Sequence, residues 1–185
     1  MPDVIVIGDG PGGLSAALFL AKNKLEVVVF GEDKTAMNYA FLRNYLGIAE
    51  ISGTDFQTHA RAQVAALGAQ LREGHVDAVA AAGKHQFTAT LVGGEQLAAK
   101  YLVLSEGKAP RLAKQLGLVF DEKTGIATDR NAKSSLDGVY IVGRSARPGR
   151  SQAIISAGDG AAAAIDILSR ERNDDVVDWD EPPES

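Results

Sequence analysis

The 185-residue chain contains no cysteine. That absence excludes a disulfide framework, a thiolate metal site and a dithiol redox centre within these residues. Aromatic residues make up only 6% of the chain, with a single tryptophan. No apolar run approaches the roughly 20 residues needed to cross a bilayer. Base is not in excess either, with 19 Lys and Arg against 24 Asp and Glu. Six of the acids, Asp174, Asp175, Asp178, Asp180, Glu181 and Glu184, sit in the closing "NDDVVDWDEPPES", so the rest of the chain is close to neutral. Without a basic stripe to meet a phosphate backbone, a nucleic-acid partner is not expected. The opening Met-Pro-Asp leads straight into an apolar strand pattern with no basic segment or cleavage site, which gives the expectation of a cytoplasmic protein with no membrane partner.

What is present is the composition of an ordinary globular chain, 45% hydrophobic and 23% charged, with 20 glycines. At this length one core burying about 70% of the unfolded surface is the default. "DVIVIG" reads as a buried parallel strand, "GGLSAALFLAKNK" as a helix and "LEVVVFG" as a second strand, together a right-handed βαβ unit. "EDKTAMNYAFLRNYLGIAEISG" reads as loop with at most a helical turn. Residues 54 to 67 return to helical spacing, with Gly53 or Thr54 as the cap and Gly68 as the stop.

"QLREG" fits a third parallel strand. From His75 to Val92 alternation takes over: "HVDAVAAAG" and "KHQFTATLVGG" form antiparallel strands, and "EQLAAKYLVL" returns to the sheet. A loop, a short edge strand and the buried "VYIV" follow, then an alanine-rich helix over 152 to 171. The expected fold is α/β: a Rossmann-like dinucleotide-binding domain over 1–172, with a parallel central sheet and a small antiparallel meander, followed by a flexible acidic tail over 173–185.

Gly8, Gly10 and Gly13 form G-x-G-x-x-G between the first strand and first helix, where a tight turn, close approach to a pyrophosphate and close helix packing each require glycine. The helix N-terminus adds unpaired amides and about half a positive charge. Glu32 follows Gly13 by 19 residues, at the end of the second strand, where a carboxylate can accept both ribose hydroxyls of an adenosine.

With "GDGPGG" at 8–13, "RNYLG" at 43–47, "FDEKTGIATDRNAKSSLDGVYIVG" at 120–143 and "SQAIISAGDGAAAAIDIL" at 151–168, the chain resembles the FAD-binding domain of the thioredoxin reductases and their pyridine nucleotide-disulfide oxidoreductase relatives. The resemblance implies FAD. It places the pyrophosphate on Gly8, Gly10, Pro11, Gly12 and Gly13, the ribose on Glu32 and the adenine near the backbone of Val76. Asn44, Gly107, Gly143, Arg144, Ser151, Gln152 and Ala153 would lie around the rest of the cofactor, the last two opening a helix aimed at the pyrimidine end of the flavin.

The chain also departs from that family. Between "YLVLSEGKAPRLAKQLGL" and the closing motif there is no room for a second βαβ domain for NADPH. The missing cysteines exclude thioredoxin reductase activity by this chain alone. Arg144 stands where the family keeps an aspartate for the ribityl chain. Its fork suits a pyrophosphate, but it could equally fill the ribityl groove or turn outward. Glu106 in "LSEG" brings a charge near the site, and Ser151 replaces a basic residue. Arg147 and Arg150 either compensate or belong to a solvated loop.

The reading that results is a single-domain, thioredoxin reductase-like flavoprotein, an oxidoreductase or electron carrier without dithiol chemistry. Its partner would be NAD(P)H or a redox protein, and a homodimer is expected by analogy. The alternative is a non-catalytic FAD or nucleotide-binding module, a sensor or a partner subunit. His59, His75 and His85 fit no metal spacing and read as surface or hydrogen-bonded histidines. Trp179 belongs to a loose terminus, folds back over an exposed flavin face, or docks a partner.

Overall fold

The valine and isoleucine run at the start of the chain forms strand β1 (Val4–Ile7), buried along its length. Pro11 opens helix α1 (Pro11–Lys22) at the position where a missing N–H leaves nothing unpaired, and β2 (Val27–Gly31) then lies parallel to β1. The polar stretch that follows holds more order than its composition suggests. A 3₁₀ turn at Ala36–Tyr39 is capped by Thr35, and β3 (Phe41–Leu42) pairs antiparallel with β4 (Ile51–Ser52).

Helix α2 (Gly53–Ala66) is capped by Ser52, not by Gly53 or Thr54. The Ser52 hydroxyl accepts from the Asp55 amide at 3.1 Å and donates to the Asp55 carboxylate at 2.7 Å. A hydroxyl satisfies an amide that a glycine would leave unpaired, which decides the position of the cap. At the other end Gly68, with φ of +98°, lies just beyond the last turn, as expected.

Strand β5 (Gln70–Glu73) lies parallel beside β2, and β6 (Val76–Gly83), β7 (Gln86–Leu91) and β8 (Gln96–Ala99) form the antiparallel meander. The run "EQLAAKYLVL" divides at Lys100: β8 stays in the meander and β9 (Tyr101–Leu104) enters the parallel sheet. Helix α3 (Arg111–Gln115) and a hairpin of β10 (Phe120–Asp121) and β11 (Gly125–Ile126) precede β12 (Val139–Ile141). The short edge strand expected here is therefore a separate hairpin, and β12 itself forms the edge of the main sheet. A 3₁₀ turn at Gly143–Ser145 leads to α4 (Ala153–Arg172). The computed structural model describes residues 1–83 and 86–182, and the expectations placed on His85, Pro183 and Glu184 fall outside the described residues.

The main sheet has the order β12-β9-β1-β2-β5, all parallel. Alternation along β1 sends Val4 and Val6 to the face covered by α1 and α4, and Ile5 and Ile7 to the face covered by the meander and α3. Helices α1 and α4 touch backbone to backbone: a Cβ at Gly160 would fall 2.0 Å from the Gly12 carbonyl oxygen. The chain leaves β1 toward β2 on one side and returns on β9 on the other, so the sheet reverses direction beside β1. That is where open α/β sheets take their ligands, at the carboxyl ends of the strands.

Past α4 the chain runs back along α1. Val176 packs on the core shared by α1 and α4, and Lys22 donates to Asp178 at 3.0 Å and to Asp180 at 2.6 Å. Trp179, 82% exposed, thus sits at the C-terminal end of α1. The glycine fingerprint lies at the other end of that 12-residue helix, about 18 Å away, so Trp179 does not cover it. No helix among the described residues is long and apolar enough to cross a membrane.

Candidate functional site

A cleft of about 720 Å³ opens at the carboxyl ends of β1, β2 and β9. Its floor is the glycine fingerprint. Gly8 has φ of +99°, and a Cβ there would fall 2.2 Å from the Ser105 carbonyl oxygen, so both conformation and packing demand glycine. Gly10 differs. Its φ of −73° suits any residue, and the nearest atom to an added Cβ is the Thr35 hydroxyl at 3.5 Å. No clash among the described residues demands this glycine; its missing side chain keeps the mouth of α1 open.

Both long helices beside the cleft begin without a cap. Gly10 before α1 and Gln152 before α4 make no side-chain capping bond, and neither first turn holds an acid. The unpaired amides and partial positive charge of each N-terminus remain available. Lys34, Lys108, Arg111 and Arg144 border the same cleft. The bordering carboxylates are engaged: Asp9 by Arg61, Glu32 by Lys34 at 3.1 Å and His75 at 3.3 Å, and Glu106 by the amides of Leu112 and Ala113 at 2.7 and 2.9 Å. The hydrogen bond from Lys34, followed by that from His75, holds the Glu32 carboxyl below its ordinary value, so it is ionised at neutral pH. Burial raises Glu106 despite its two backbone donors. An arrangement of two open helix ends, four cations and the ionised carboxylate of Glu32 suits a ligand with a diphosphate and a ribose.

Thirteen of the residues expected from the sequence border this cleft: Gly8, Gly10, Pro11, Gly12, Glu32, Asn44, Val76, Gly107, Gly143, Arg144, Ser151, Gln152 and Ala153. Gly13 lies behind it, where a Cβ would fall 2.0 Å from the Gly8 carbonyl oxygen, and so serves packing. The side chain of Val76 is buried and its carbonyl accepts from Arg111 at 2.7 Å. Arg144 is exposed and makes no hydrogen bond or ion pair among the described residues. Arg147 is different: its Nε donates to both oxygens of the buried Asp159, at 3.0 and 3.1 Å. Glu106, expected to bring a charge near the site, borders the cleft and also caps α3.

The sequence reading passed over Asp9, Arg61, Gln57 and the cleft position of His75. Asp9 is 4% exposed. A charged residue inside a glycine turn that must pack was the available signal, because a buried carboxylate needs a partner. Among the described residues no cluster of three or more His, Asp or Glu could hold a metal ion, and His59 lies exposed on α2.

Comparison with known proteins follows the same geometry. Residues 2–111 match the family model described as pyridine nucleotide-disulphide oxidoreductase. A thioredoxin reductase of Mycolicibacterium smegmatis is 32% identical over 166 residues, covering 87% of this chain and 49% of that protein. One from Streptomyces coelicolor is 35% identical over 121 residues, covering 63% of this chain and 36% of that protein. The chain thus spans about half the length, or less, of these curated relatives. Among solved structures, a thioredoxin reductase from Gloeobacter violaceus superposes with a TM-score of 0.86 at 16% identity, covering 98% of this chain and 99% of that chain, which shows a shared fold.

Proposed function

The chain belongs to the pyridine nucleotide-disulphide oxidoreductase family, and from that premise we propose that it is a thioredoxin reductase-like flavoprotein that binds FAD and takes part in electron transfer without dithiol chemistry. Members of the family typically bind FAD and NAD(P)H. The observation that carries the reading is Gly10: with an ordinary φ and no clash, its lack of a side chain is explained by a ligand at the open end of α1. The amides at the start of α1 hold the diphosphate, and Glu32, kept ionised by Lys34 and His75, accepts the ribose hydroxyls.

Arg144 has no partner among the described residues and borders the cleft, so it serves as a cation toward the diphosphate in place of the aspartate that the resemblance implies for the ribityl chain. The N-terminus of α4, after Gln152, sets a positive field on the flavin half of the site. When bound, the flavin supplies the redox chemistry, and the protein supplies binding, orientation and field. The chain holds no cysteine, so electrons leave by direct transfer to a small molecule or a redox protein, and not by thiol exchange.

A second reading, a nucleotide-binding subunit without its own catalysis, is favoured by one observation: Asp9, Glu32 and Glu106 already have protein partners, and no bordering carboxylate is left as a general acid or base. The deciding experiment is the visible absorption spectrum of the purified chain, before and after adding FAD and gel filtration, followed by addition of NADPH. Retained flavin bands that bleach with NADPH support the oxidoreductase. Bands that persist until a partner protein is added support the subunit. A colourless protein that does not retain FAD rejects both flavin readings.

A further inference from the structure

Asp9 stands inside the glycine turn, 4% exposed, and its carboxylate has three neighbours that lead to Glu32. It accepts from the guanidinium of Arg61 on α2 and from the backbone amide of Asp33 at 3.2 Å. It also fills the space beside Gly31, where an added Cβ would fall 2.2 Å from the Asp9 Cγ. Its backbone carbonyl accepts from Gln57, a second residue of α2 that is 1% exposed. Glu32 lies between the two residues so held. Its successor Asp33 adopts φ of +51°, a left-handed conformation that aspartate tolerates better than most residues.

A carboxylate beside a diphosphate would repel it. The Arg61 guanidinium, paired with Asp9, offsets that charge locally. What remains is geometry: Asp9 joins the glycine turn, α2 and the end of β2 around the backbone that carries Glu32.

We propose that Asp9 is a positioning residue, fixing the Gly31–Asp33 backbone so that Glu32 meets the ribose hydroxyls and the site selects adenine nucleotides with ribose over those with 2′-deoxyribose. This rests on the reading of the cleft as an adenine dinucleotide site. Asp9 acts through Glu32, so its removal lowers selectivity for the hydroxyl and leaves the diphosphate contacts at the start of α1 in place.

The test uses the full chain freed of any co-purified nucleotide, with ADP and 2′-deoxy-ADP titrated by calorimetry. The wild type prefers ADP by about tenfold, the value of a hydrogen bond to a charged group. Glu32→Gln removes most of that preference. Asp9→Asn does the same, changes 2′-deoxy-ADP affinity by less than about twofold, and adds nothing further when combined with Glu32→Gln. Gly31→Ala, which displaces the carboxylate without removing it, also lowers the preference, and it provides the reading should Asp9→Asn fail to fold.

Asp9→Asn or Gly31→Ala that folds and keeps the tenfold preference overturns the proposal, as does equal weakening of both nucleotides. A wild type that binds both nucleotides equally well overturns it too, by removing the contact from Glu32 to the ribose. A wild type that binds neither overturns instead the reading of the cleft on which the proposal rests.

Discussion

At the start of α2 the Ser52 hydroxyl takes the Asp55 amide, and at the start of α3 the Glu106 carboxylate takes those of Leu112 and Ala113. Helices α1 and α4 begin after Gly10 and Gln152 with no such partner. The difference follows what each end faces. A cap raises the stability of an ordinary helix by about 1 kcal/mol, yet the two helices whose N-termini lie uncapped beside the cleft are also the two that cross with their backbones in contact. Tertiary packing stabilises α1 and α4, so their first turns can stay uncapped beside the cleft.

Several substitutions can break or sharpen that contrast. The largest effect is expected where the packing is closest. Gly160→Val places side-chain atoms against the Gly12 carbonyl, and thermal unfolding should show a loss of about 3 kcal/mol, roughly 10 °C in Tm. Unchanged stability would mean that the two helices do not cross so closely.

Next comes the open end of α1. Gly10→Asp introduces a good cap at an allowed φ, so stability should hold or rise by a few tenths of a kcal/mol. FAD affinity, by fluorescence titration, should fall about a hundredfold or more, because side chain and charge occupy the mouth. Ser52→Ala is the converse control: about 1 kcal/mol less stable, with unchanged FAD affinity. A variant of either helix that changed binding and stability in the same direction would erase the distinction between them.

Arg144→Asp introduces the acid that the resemblance implies at this position. With Arg144 acting as a ligand in this chain, FAD binding should weaken about tenfold. Tighter binding would show that the arginine is a lost ligand and not a new one.

The smallest effect concerns the capped end of α3. Burial raises the Glu106 pKa above 4.5, so the folded chain keeps this proton over a range of pH in which the unfolded chain has released it. Its contribution to stability is therefore full below the unfolded pKa and declines as pH climbs to the folded value. Glu106→Gln should flatten the stability curve in that interval when denaturant midpoints are compared across pH. An unaltered slope would assign the dependence to other groups.

The fingerprint strand, its helix and Glu32 were legible because spacing along one βαβ unit is local and glycine has few structural reasons at those positions. The role of Ser52 was hidden by the irregular pattern before α2, where several residues could supply a cap. Glu106 was legible as a charge but not as a cap, since its amide partners depend on how the chain turns after β9. Asp9 and Arg61 lie 52 residues apart, and no period links them. Only the packing of α2 against the glycine turn brings them together.

By itself the sequence determined the order of the main parallel strands, the meander and the long helices, and the positions of the glycines, because apolar period and backbone freedom are properties of short segments. It also determined that no thiol chemistry occurs in this chain. The tertiary structure alone decided which polar groups satisfy each other and which are left over. Pairing depends on distances between segments far apart in the chain, so Glu106 and Asp9 became internal partners, while Arg144 and the first turns of α1 and α4 remained open to the cleft.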